Sequence, residues 1–138
     1  PVTGQIRVTL GRVRVDGAAV ARWQRDGNGE ILDHLMVRGT RVQAEARRLV
    51  RKRTRLLERS IVKRVDVAGG VPSVVVVAEQ PYAVHEHEGT SPHVIRPRSR
   101  RVLRFVGRGG AVVFARRVMH PGTKGSKFLT RALAAAKD

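Results

Sequence analysis

Residues 5–15, QIRVTLGRVRV, alternate apolar and polar positions on either side of Gly11. Ile6, Val8 and Leu10 share one face, then Val13 and Val15 share another. That period of two predicts extended chain, as a hairpin or a bent strand. Asp16 is placed to cap a short helix through Trp23, and the DGNG run at 26–29 breaks the chain after it.

The period then changes. From Glu30 to Arg59 there is no proline, and Gly39 is the only glycine. Ile31, Leu35, Val42, Ala46, Leu49, Val50, Leu56 and Leu57 recur mostly at steps of three, four and seven, which predicts one long amphipathic helix. At 1.5 Å per residue the rod would be about 45 Å long, with Gly39 as a point where it kinks or splits. Its polar side carries Arg47, Arg48, Arg51, Lys52, Arg53, Arg55 and Arg59. These form either a solvated face or a charged rail for a partner.

Strand patterns follow. SIVKRVDVA (60–68) alternates, GGVP (69–72) turns, and SVVVVAE (73–79) is a β-branched run suited to a strand buried on both faces. Residues 80–93 have no period and read as a loop with one helical turn. RVLRFV (101–106) and AVVFARR (111–117) flank GRGG, the pattern of a hairpin. After the loop 120–126, residues 126–137 form a short helix with Ser126 as its expected cap. The fold expected is α+β: one long helix on an antiparallel sheet of about four or five strands, with a short C-terminal helix, in a single domain spanning 1–138.

Composition sharpens this. The 138 residues contain no cysteine, which removes disulfides and thiolate chemistry. No apolar run approaches the ~20 residues needed to span a bilayer, and the first residues lack the apolar stretch of a signal peptide, so a soluble, cytoplasmically assembled protein is expected. Lys and Arg number 28 against 11 Asp and Glu, a net charge of +17. Such an excess predicts a polyanionic partner or an acidic protein surface. The excess is uneven: no acid lies between Gly89 and Lys137.

Enzyme chemistry finds little support. His85, His87, His93 and His120 with Glu86 and Glu88 are metal-ligand types, but HEHEG lacks the i, i+4 spacing of a helical site. No serine sits in a nucleophile elbow, and neither GRGG nor PGTKG has the spacing of a phosphate loop. No metal or cofactor is expected. Aromatic residues make up only 4%, too few for the stacking platforms of single-strand binders. Contact with duplex phosphates without sequence preference fits the charge, so a non-specific basic nucleic-acid-binding protein is the alternative reading.

Four segments occur in a telling order: YAVHEHEGT (82–90), PHVIRPR (92–98), VLRF (102–105) and VVFARRVMHPGTKGSKFLTRAL (112–133). In order and spacing they resemble the small neck proteins of long-tailed bacteriophages, the head–tail connector or tail-completion family. The resemblance spans 28–137, leaving 1–27 as an N-terminal extension to a connector-like core at 28–138. It implies a structural virion protein without catalytic activity. Six- or twelve-fold rings of it would stand at the head–tail junction, between head-closure or adaptor proteins and tail-terminator or tail-tube proteins, with double-stranded DNA in the lumen. It marks Tyr82, Ala83, His87, Glu88, Gly89 and Thr90 as a motif loop, with Tyr82 its packed anchor and Gly89 its turn. It marks His120, Pro121, Gly122, Phe128 and Leu129 as the loop and helix that close the chain. Arg96, Arg98, Arg100, Arg101, Arg104 and Arg108 are then expected on the lumen or at a subunit interface.

Overall fold

A computed structural model of the chain describes residues 5–11, 13–68 and 71–136. The backbone divides into two compact units, one of residues 1–88 with 126–138 and one of residues 89–125. The fold is α+β, with a long helix, antiparallel strands and a short C-terminal helix. The first unit contains β1 (Gln5–Leu10), α1 (Gly17–Trp23), α2 (Gly29–Leu49), α3 (Leu56–Ser60), β2 (Ile61–Ala68), β3 (Val71–Ala78) and α4 (Ala83–Glu88). The second contains β4 (Gly89–Thr90), β5 (His93–Ile95), β6 (Leu103–Val106), β7 (Val112–Ala115), β8 (Val118–His120) and β9 (Thr123–Lys124), after which α5 (Phe128–Ala135) completes the first.

In the first unit, β3 is the centre of a three-stranded sheet, parallel to β1 and antiparallel to β2. Seven of its eight residues are buried, as its unbroken β-branched run requires. Pro72 begins inside this strand and not in the turn before it. The β1 pairing starts only at Ser73, so the missing proline N–H removes no bond on that side. Residues 5–10, expected as part of an extension, are this sheet's edge. The expected continuation over Val13 and Val15 forms no strand. Arg12, between them and Gly11, lies outside the described residues.

Asp16 caps α1: its Oδ1 accepts from the Ala18 and Ala19 N–H groups at 3.0 and 3.1 Å. Asp26 and Gly27 (φ 86°) depart from helical geometry and form the kink that separates α1 from α2. Leu32, Leu35, Gly39, Val42 and Ala46 line the buried side of α2. Gly39 neither kinks nor splits the helix. It is a contact point, because a Cβ there would come within 2.5 Å of Val74 Cγ1. The Val74 side chain packs directly against the helix backbone here.

The long helix ends at Leu49, ten residues before the expected Arg59. Val50 is extended and Arg55 left-handed (φ 58°). A continuous helix would stack Arg47, Arg51 and Arg55 at i, i+4 steps, where like charges repel. Breaking it separates them and returns Leu57 to the cluster that holds Val42, Ala46 and Val50. Ile61, Val76, Ala78, Ala83, Phe128, Leu129 and Ala132 complete that core, and Leu32, Leu35 and Val74 form a smaller one. Each fully buried large side chain contributes about 1.5–3 kcal/mol of transfer free energy.

The C-terminal helix begins at Phe128, and Ser126 does not cap it. Lys127 occupies the cap position in a left-handed conformation (φ 51°). The Ser126 hydroxyl and N–H both donate to the Glu86 carbonyl at 2.9 Å, tying α5 to α4 instead.

In the second unit the expected hairpin forms as β6–β7, with Gly107 N–H donating to Ala111 O at 2.8 Å and Gly110 (φ 81°) in its turn. The strands do not join one sheet of four or five. They make three separate two-stranded ribbons, β4–β9, β5–β8 and β6–β7. Pro92 and Pro97 bracket β5 and Pro121 follows β8, and residues without an N–H cannot extend a ladder.

Candidate interaction surface

The motif loop begins with α4. Ala83 is fully buried and His87 is 7% exposed, while Tyr82 is 41% exposed. The anchor of this segment is therefore Ala83 with His87, and not the Tyr82 ring. With so short a helix only one side can face the core, and Ala83 and His87, four residues apart, occupy it. Tyr82 instead lines a groove with Arg51, Arg53, Leu57 and Glu86.

His87 is held from three sides. Its ring meets Phe128 edge-on at 5.4 Å. Its Nδ1 lies 2.9 Å from Glu88 Oε1, and its Nε2 lies 3.3 Å from the Thr130 hydroxyl. A carboxylate only accepts, so Nδ1 carries a proton and donates to Glu88. Lys127 donates to the other Glu88 oxygen. That ammonium, and then the His87 ring, hold the Glu88 carboxyl below the usual carboxylate range. These contacts are structural: the polar groups satisfy one another and tie α4 to α5.

Gly89 and Gly122 sit where side chains do not fit. Gly89 has φ 85°, and a Cβ on it would come within 2.4 Å of Thr123 O. Gly122 has φ 84°, and a Cβ on it would come within 2.2 Å of Thr90 O. The Thr90 and Thr123 hydroxyls bond each other at 3.0 Å across the β4–β9 ribbon. His120 accepts the Gly122 N–H at Nδ1 (3.0 Å) and stacks on His93, its partner in β5–β8, with ring centroids 5.0 Å apart. Pro121 is exposed. Phe128 and Leu129 belong to the core. The two motif groups thus divide between the units. Among the described residues, no three His, Asp or Glu side chains converge as metal ligands.

Arg96, Arg98, Arg100, Arg101, Arg104 and Arg108 are all exposed. Arg116, Arg117 and Lys124 join them in the second unit, which contains no acid. None of these cations takes part in an ion pair among the described residues. The basic side of the predicted long helix behaves differently. Arg47 donates to Ile61 O at 2.8 Å, Arg48 to Glu45 at 2.9 Å, and Arg51 and Lys52 lie 3.6 Å from Glu86 and Glu58. Its first four cations serve their own unit, so that stretch is no open rail.

One surface was not singled out from the sequence. The β6–β7 register puts Arg104 opposite Phe114 and Val106 opposite Val112, so these four share one ribbon face. Val106 is 66% exposed, Phe114 62% and Val112 44%. Leu103, Arg104 and Phe105 line a cavity of about 290 Å³ with Ile95, Val118 and His120. The alternation in LRFV and VVFA was the available signal. It takes the cross-strand register to show that both arms put large apolar groups on the same uncovered side. Comparison with protein-family models, with curated proteins and with solved structures gives no match.

Proposed function

We propose that this protein is a ring-forming structural protein of the head–tail junction of a long-tailed phage, joining head-closure or adaptor proteins to the tail around the DNA channel. The observation that carries the reading is the composition of the second unit. It has no buried residue, no acid, and only two-stranded ribbons. Isolated two-stranded ribbons are marginal in water, and exposed apolar groups rimmed by cations mark an interaction surface. A subunit that completes itself against neighbours has these properties. The ordered motifs at 82–133 support the same reading. The unit reads as a contact module and the first unit as the scaffold that carries it. The role is structural and needs no catalytic group. Cryo-electron microscopy of virions assembled with the tagged chain tests this: density at the collar between capsid and tail is expected, and density elsewhere, or none, overturns it.

The charge of +17 favours one alternative, a non-specific nucleic-acid-binding protein. That protein would bind short duplexes as a monomer or dimer, with log affinity falling steeply against log salt. The connector reading expects weak duplex binding by the unassembled chain.

A further inference from the structure

The uncovered face of the β6–β7 ribbon is a sheet face without a partner, and the chain itself carries a surface that complements it. The outward side of α2 bears Glu30, Asp33, His34 and Val37, which recur at three- and four-residue steps and line one depression. This stripe lies opposite the buried one. Val37 is 56% exposed. Most other acids of the described residues are engaged: Asp16 caps α1, and Glu45, Glu58, Asp66, Glu79, Glu86 and Glu88 form ion pairs. Asp26, Glu30 and Asp33 form none among the described residues. The helix dipole accounts for Glu30 in the first turn, but its effect has faded at Asp33 and gives no reason for an exposed Val37.

We infer that the Arg104–Val106–Val112–Phe114 face of one copy docks on the Glu30–Asp33–Val37 stripe of the next. Phe114 and Val106 cover Val37, and Arg104 meets the two carboxylates. Phe114 and Val37 are both largely exposed, and a disulfide between two different chains in the test below reports contact between copies. The two patches differ, which makes the contact head-to-tail: it generates a ring when the rotation closes and a filament when it does not. The inference deepens the ring reading and rests on it for closure alone.

The absence of cysteine makes the test clean, because introduced thiols are the only ones present. Val37→Cys and Phe114→Cys chains are mixed under mild oxidation, and each is also oxidised alone. A Val37–Phe114 disulfide is expected to dominate the mixture, well above either self-pair. Both positions are exposed, and circular dichroism verifies folding. Glu30→Arg with Asp33→Arg is expected to weaken self-association about tenfold in sedimentation equilibrium, and adding Arg104→Glu to recover most of it. Absence of the mixed disulfide, equal self-pairs, or indifference to charge reversal overturns the contact. So does protection of Phe114→Cys from alkylation by duplex DNA, by anionic vesicles or by a purified neck partner without any mixed disulfide. A charge-dependent disulfide in a protein that lies elsewhere than the collar keeps this contact and removes the connector reading. A collar protein without the disulfide does the reverse.

Discussion

The two units solve opposite problems with similar residues. Val, Leu and Phe in the first unit disappear into a core: Val74, Val76, Val77 and Phe128 are fully buried. The same residue types in the second unit stay in view, with Val106, Val112 and Phe114 between 44% and 66% exposed. The difference is architectural. A three-stranded sheet flanked by α2 and α5 offers apolar side chains a place to go, whereas a two-stranded ribbon has two faces and too little material to cover both. The charges follow the same division. Most acids of the first unit neutralise cations of that unit, while the second has only cations. The first unit has a buried core, and the second has no buried residue.

The largest effect expected from breaking this contrast is at its two phenylalanines. Phe128→Ala should cost about 3–5 kcal/mol in urea unfolding, because it opens a cavity at the centre of the main core. Phe114→Ala should change the stability of the unassembled chain by less than about 0.5 kcal/mol. A large cost at Phe114 would show that the ribbon is already covered in the free protein.

Gly39 gives the next largest. Gly39→Leu should destabilise by about 1–3 kcal/mol in the same assay, since its side chain enters the space Val74 fills. In the second unit, Gly122→Ala should cost about 1–2 kcal/mol through its left-handed backbone and the close Thr90 carbonyl. Its signature is regional: hydrogen exchange at Thr90 and Thr123 should quicken while amides of β3 stay protected.

The smallest effect concerns pH. Glu88 titrates below an ordinary glutamate when folded, so its contribution to stability is present above the unfolded value and disappears as pH falls through the folded one. Lys127→Ala should raise the Glu88 titration midpoint measured by carboxyl NMR, and the small stability difference from the parent should close in acid.

Local chemistry carried the legible parts of this molecule. Asp16, the β-branched run of β3, the start of the long helix and the GRGG hairpin are set by residues within a few positions of one another, and each forms as read. What long-range contacts decide was not legible. The pairing of β1 with β3 joins positions 68 apart (Gln5 with Ser73). The end of α2 depends on where Leu57 must return. Ser126 spends its hydroxyl on Glu86, forty residues away. The candidate surface shows the same limit: its arginines and motif positions stand out along the chain, but the apolar face between them exists only once β6 and β7 are aligned.

The chain leaves the scaffold at Glu88 and rejoins it at Ser126, and the N–H groups of Ser126 and Lys127 bond the carbonyls of Glu86 and His87. The scaffold's own hydrogen bonds therefore hold both cut ends side by side, whatever lies between them. Such an insertion is a cassette. Its base is closed by bonds that involve none of its own residues, so a change within it leaves the two ends joined.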